Sequence, residues 1–168
     1  MTDTIQEEQA VQSELTAKFP ALGGAIRIQR SRRIFARIPH EQFHDCFDYL
    51  VKDMKFNILT VITGTDEGES LGVMYHLSRE SRIVLSLFTT VPKQNPVIQT
   101  VTPYFPAADA YERELVDLLG FQVQGLPPGF RYPLTDDWPA GQYPLRKDWK
   151  PSPAAPPTQA EKNEVKDV

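Results

Sequence analysis

His40, Glu41 and His44 spell H-E-x-x-H, a spacing that on a helix puts two imidazoles on one face. Such a pair can hold Zn²⁺, with the glutamate as general base on a metal-bound water. The surroundings argue against that chemistry. The motif follows Pro39 directly and falls in the first turn of its helix, while Phe43 leads the apolar face and leaves the histidines at its sides. A zinc site also needs a third ligand. No later histidine has a suitable spacing, and Glu67 and Glu69 sit in a polar turn. Two exposed histidines at a helix start are the simpler expectation, with a small zinc hydrolase as the alternative.

Cys46 lies between Phe43 and Phe47 on that apolar face, which predicts a buried, inert thiol rather than a nucleophile. It is the only cysteine, so the chain can form no internal disulfide and suits a reducing, cytoplasmic compartment. A self-contained Fe–S cluster takes about four thiolates, which this chain does not have. His76 falls in a strand pattern and reads as a packed or edge histidine. Asp136 and Asp137 are adjacent on an extended segment, so their carboxylates point apart. Capping, or pairing with Arg131, Arg146 or Lys147, is expected of them rather than cation binding. Neither G-x-G-x-x-G nor G-x-x-x-x-G-K-[ST] occurs, so no NADH or ATP site is expected. The residues thus assign no catalytic, cofactor or metal role to this chain.

Arg27, Arg30, Arg32, Arg33 and Arg37 cluster without an intervening lysine. Guanidinium groups pair bidentately with carboxylates, so this cluster is either a solvated face or a contact for an acidic partner. A stand-alone adaptor built on that face is a further alternative. The formal charge of −4 and pI near 5.4 argue against a nucleic-acid binder, whose affinity comes mainly from neutralising phosphates. No apolar run approaches the roughly 18 residues that span a bilayer, and the acidic N-terminus has no signal-peptide pattern.

The elements that must position these residues follow from periodicity. Length and a 40% hydrophobic content suit one modest core. Val11, Leu15 and Phe19 form a thin helical stripe, closed by Pro20 and Gly23-Gly24. Residues 25–38 alternate on either side of Ser31 and predict a hairpin, apolar on one face and arginine-rich on the other. Phe43, Cys46, Phe47, Leu50, Val51 and Met54 predict the clearest helix. Residues 56–63 are apolar on both faces and read as an interior strand. Leu71–Ser78 and Arg82–Thr89 predict a second hairpin around Arg79-Glu80, and a short helical turn is expected between Asn95 and Pro103. Pro106 opens a last helix and Gly120 closes it. Tyr111, Leu115 and Leu118 face inward there, with Arg113 and Asp117 paired outside.

The predicted fold class is α+β, a mainly antiparallel sheet with helices on one side, followed by an extended irregular C-terminal strap. The expected organisation is an N-terminal helix and linker over 1–24, an α+β domain over 25–124, the strap over 125–150 and a disordered tail over 151–168. The strap keeps Trp138, Tyr143 and Trp149 yet has no period of 2 or 3.6. Without a continuous apolar face it must lie across a surface, its own domain or a partner's.

The segment from Tyr111 to Trp149 resembles the signature of the 30-kDa (C-type) subunit of complex I-type NADH:quinone oxidoreductases and of the related energy-converting membrane-bound [NiFe] hydrogenases. Glu112, Arg113, Glu114, Asp117, Gly120, Gly125, Arg131, Asp136, Asp137, Trp138, Pro144, Leu145, Arg146, Lys147 and Asp148 carry the likeness. The resemblance implies a non-catalytic structural subunit of the peripheral arm, with no cofactor of its own. It implies docking on the large-subunit (D-like) homologue beside the Fe–S small-subunit (B-like) homologue. Fe–S clusters, and either NiFe or NAD and FMN, would then reside in partners. The complex would hold the chain peripherally on the cytoplasmic side of the inner membrane. On this reading Glu112, Arg113 and Glu114 are structural charges at the helix–strap junction, and Arg146, Lys147 and Asp148 are interface charges. Leu119, Leu126-Pro127-Pro128 and Phe105-Pro106 depart from the respiratory pattern, and the ending is more similar to the hydrogenase branch. The two branches both stay open.

Overall fold

The computed structural model describes residues 5–151. Helix α1 (Gln6–Lys18) leads through a 3₁₀ turn (Pro20–Leu22) into strands β1 (Ile26–Arg30) and β2 (Arg33–Arg37). A second 3₁₀ turn (His40–Gln42) precedes α2 (Phe43–Lys52), and β3 (Ile58–Asp66), β4 (Ser70–Arg79) and β5 (Ile83–Pro92) follow. Short β6 (Val97–Gln99), helix α3 (Ala108–Leu119) and β7 (Gln122–Gln124) complete the regular elements. Five strands form one sheet in the order β1-β2-β5-β4-β3, antiparallel throughout except for the parallel β2–β5 pair. The fold is therefore α+β with a mostly antiparallel sheet.

Alternation along the strands separates two faces. One face presents Ile26, Ile34, Ala36, Leu85, Leu87, Tyr75, Leu77 and Ile62 to the helices, and all of these are buried. Val11 and Leu15 of α1, Phe43, Phe47 and Leu50 of α2, and Leu115 and Leu119 of α3 pack into the same core. The sheet and α3 approach closely at Gly64 on β3, where a Cβ would collide with the Leu115 and Leu119 side chains. The other face of the sheet carries no described helix.

Hairpin geometry matches the expected turns. Arg32 in the two-residue β1–β2 turn, and Glu80 and Ser81 in the three-residue β4–β5 turn, have positive φ, the left-handed backbone on which these tight reversals depend. Other expectations need correction. The apolar run of residues 56–63 predicts an interior strand, but β3 is a sheet edge. Its apolar content serves two surfaces: Ile62 packs beneath α3, while Ile58 is 41% exposed. The helical turn expected between Asn95 and Pro103 is preceded by β6, which pairs in parallel with β7. Three-residue strands are too short to display a period. Helix α3 begins at Ala108 rather than at Pro106, and its buried positions are Ala108, Glu112, Leu115, Asp117 and Leu119. Tyr111 and Leu118 stay half-buried at the margin. Apart from Pro151, the expected tail lies outside the described residues.

Candidate interaction surface: a strap clasped on the last helix

The strap leaves α3 through Gly120, whose φ of 75° makes it the left-handed C-cap of that helix. Its amide donates to the Leu115 and Val116 carbonyls. A Cβ at this position would sit 2.6 Å from the Tyr143 ring and 2.7 Å from Arg146 Nη2, so the glycine also admits the strap's return. Gly120→Ala is expected to cost about 2 kcal/mol, through left-handed strain and displacement of Tyr143 and Arg146. A drop in the thermal midpoint, with faster tryptic cleavage at Arg146, would register it.

Three carboxylates fasten the chain around this helix. Glu112 is fully buried and accepts from Thr100 Oγ1 (2.5 Å) and the Val101 amide (2.7 Å), tying the loop after β6 to α3. Burial pushes its carboxyl above the ordinary value, against the pull of those two donors. Asp117 accepts from Arg131 Nε (3.0 Å) and the Leu134 amide (3.1 Å), while Arg131 Nη1 donates to the Trp138 carbonyl (2.8 Å). Asp66, at the end of β3, accepts from Lys93 Nζ and from the Lys147 and Gly68 amides, each at 2.8 Å. Burial works against charge at Asp66, yet these donors outweigh it and hold its carboxyl down at about 2.

Arg113 completes the attachment. Its guanidinium grips Asp109 bidentately (2.9 and 2.8 Å) and donates to the Pro127 and Phe130 carbonyls (2.7 and 3.3 Å). The outside Arg113–Asp117 pair expected from i, i+4 spacing is therefore replaced by Asp109–Arg113 and Asp117–Arg131. Asp117 is taken by the cation that the folded strap brings to it, and Arg113 turns to the acid one helical turn earlier. Arg131 being committed, Asp136 and Asp137 remain exposed turn residues instead of pairing with it. Arg146 Nε donates to the Leu119 carbonyl (2.7 Å) at the helix C-terminus, and its guanidinium stacks on Tyr143 at 4.4 Å. Asp148 pairs with Lys93 (2.8 Å). Trp138 and Trp149 stack at 6.1 Å, and their indole N–H groups donate to the Gln142 carbonyl and to its side-chain oxygen (both 2.9 Å).

Of the signature residues, Glu112, Asp117 and Gly120 are buried, and Arg113, Glu114, Arg131, Trp138, Pro144 and Arg146 are half-buried. Gly125, Leu145, Lys147 and Asp148 are exposed. Asp66 and Lys93 belong to the same clasp, although neither the signature nor their local pattern singles them out. Large apolar side chains nevertheless remain outside: Phe130 is 91%, Tyr132 52% and Leu145 56% exposed.

The other chemical candidates stay dispersed. His40 lies in the 3₁₀ turn and His44 in the first turn of α2. Both are half-buried rather than exposed, with His44 edge-on to Tyr104. No third histidine, cysteine or carboxylate joins them as a ligand cluster among the described residues. Cys46 is buried, which pushes its thiol up to about 12. His76 pairs through Nδ1 with Ser86 Oγ at 2.8 Å across β4 and β5.

The family model of the respiratory-chain NADH dehydrogenase 30 Kd subunit matches residues 36–154. The C subunit of the F(420)H(2) dehydrogenase of Methanosarcina mazei is 29% identical over 140 residues, covering 79% of this chain and 89% of the relative. The beta subunit of the membrane-bound hydrogenase of Pyrococcus furiosus is 25% identical over 145 residues, covering 83% and 84%. A chain in the structure of the membrane-bound sulfane sulfur reductase, an archaeal respiratory membrane complex, superposes with a TM-score of 0.75. That superposition covers 97% of this chain and 93% of that one at 22% identity, a likeness of fold. With the strap, the sheet and the matched span in agreement, the chain belongs to the family of the respiratory-chain NADH dehydrogenase 30 Kd subunit.

Proposed function

We propose that this chain is a non-catalytic structural subunit in the peripheral arm of a complex I-related, membrane-associated oxidoreductase, of the hydrogenase or the NADH:quinone type. On this reading the outer side of the strap docks on the large-subunit homologue, beside the Fe–S small-subunit homologue. The chain supports electron transfer and proton pumping by the whole complex, and the cofactors, Fe–S clusters with NiFe or with NAD and FMN, reside in partner subunits. Membrane association comes through the complex; among the described residues no helix is long and apolar enough to cross a bilayer.

The observation that carries the reading is the strap itself. Its inner side is fastened by Asp66, Asp117, Arg113 and Arg146, while Phe130, Tyr132 and Leu145 stand exposed to solvent. Exposed apolar side chains on a backbone anchored by a polar clasp suit an interface, because little backbone freedom remains to be lost on docking.

Pull-down from mild-detergent extracts tests the assignment. A flavin- and NADH-binding module among the partners would place the chain in a respiratory enzyme. A large subunit with nickel-ligating cysteines would place it in a hydrogenase. Recovery only as a free monomer would refute the subunit reading. Removal of residues from 125 onward is expected to leave a folded domain, since the whole sheet and α3 precede that point, but one that no longer assembles. Circular dichroism and co-purification check the two halves of that expectation, and normal assembly of the truncated chain would remove the strap from the interface.

A further inference from the structure

The face of the sheet turned away from the helices has a composition unlike that of a merely solvated surface. Register places Arg33, Val84, Ser78 and Ile58 in one cross-strand row, and Phe35, Ser86 and His76 in the next. Phe88, Met74 and Thr63 follow toward the far end. Arg27 lies opposite Phe35 and Arg30 opposite Arg33, so both share this face. The Arg27 guanidinium stacks over Phe35 at 4.9 Å and that of Arg37 over Phe88 at 5.0 Å.

Stacking fixes these planar groups and leaves their N–H edges directed outward. The strand positions of this face include Arg27, Arg30, Arg33, Arg37 and His76, and none is Asp or Glu. Arg32 is excluded from the row. It sits in the turn with positive φ, and its guanidinium is taken by the Ser81 and Arg82 carbonyls (2.8 and 2.5 Å). A hollow of about 420 Å³ opens among Arg30, Arg33, Ile58, Thr60, Ser78 and Val84. Its lining joins three arginines, Arg30, Arg33 and the turn residue Arg32, to the exposed Ile58, and β3 beside it has an unpaired strand edge.

We infer that this open face is a second docking surface, separate from the strap, and that it takes an acidic polypeptide segment of another subunit. Carboxylates of that segment meet Arg27, Arg30, Arg33 and Arg37, and an apolar side chain enters the hollow against Ile58 and Val84. The inference rests on the chain being a subunit of a larger complex. Charge complementarity selects the occupant: among the described residues no carboxylate pairs with Arg27, Arg30, Arg33 or Arg37, and such a row favours carboxylates and rejects a basic or second identical surface.

The test uses the assembled complex from mild-detergent extracts, with a benzoylphenylalanine photocrosslinker replacing Ile58 in one preparation and Phe130 in another. The expected result is an adduct from position 58 to an Asp/Glu-rich peptide of a different subunit. Arg30→Glu combined with Arg33→Glu should lower its yield at least tenfold, with the circular dichroism spectrum and the adduct from position 130 unchanged. An adduct from position 130 with none from 58 overturns the second surface and leaves the strap reading intact. An adduct from 58 to lipid, to another copy of this chain or to a peptide without acidic residues also overturns it, as does an unchanged yield in the double variant. No adduct from either position removes both readings.

Discussion

Glu112→Ala is expected to be the most destabilising single change, costing about 4 kcal/mol. The side chain is fully buried, and its loss leaves a cavity together with two enclosed donors, the Thr100 hydroxyl and the Val101 amide. Glu112→Gln keeps the volume and one acceptor oxygen, so about 1 kcal/mol is expected. Midpoints in urea for the two variants measure the contrast. Similar losses would mean that the paired acceptor oxygens, and not volume, govern the site. The pH dependence has a definite sign. Burial raises this carboxyl above its ordinary value, so its contribution to stability declines as pH rises through the ordinary range to the raised value.

Asp66→Ala is expected to release the end of the strap, at a cost of about 2 kcal/mol. The carboxylate gathers donors from three separate segments: Gly68 beside it, Lys93 after β5, and Lys147 in the strap. Opening of the strap should become roughly 30-fold more frequent, read as faster trypsin cleavage at Arg146 and Lys147. Here the pH sign is opposite to that of Glu112. The carboxyl is held down at about 2 from an ordinary 3.8, so its stabilisation is complete above 3.8 and is lost as pH falls toward 2. Trypsin serves only near neutral pH, so pepsin digestion between pH 4 and 2 measures this second effect. Asp66→Asn should flatten the acid-induced rise in cleavage, and an unchanged acid profile would remove Asp66 from the clasp.

Both sites show why the strap is legible in the sequence while its attachments are not. Its lack of periodicity and its retained tryptophans require an external surface, and the resemblance points to a partner. The chain's own α3 and β3 supply one side of that surface. The linking pairs are distant: Arg131 to Asp117 is 14 residues apart, Lys93 to Asp66 27, and Lys147 to Asp66 81. Helical spacing offers Arg113 two acids four residues away, Asp109 and Asp117, and only the distant Arg131, which takes Asp117, decides for Asp109.

The sequence by itself determined what depends on local periodicity and residue chemistry. The apolar face of α2, the β4–β5 hairpin, the glycine that ends α3 and the buried thiol of Cys46 all follow from neighbours within a few positions. The signature carried the family. Only the tertiary structure decided that β3 is an edge, since an edge strand beneath a helix and an interior strand present the same apolar pattern. It alone placed Glu112 in the core, because a carboxylate is buried only where distant donors meet it. It also left the arginines facing outward across an uncovered sheet: alternation fixes which side chains share a face, and the packing of the helices fixes which face stays open.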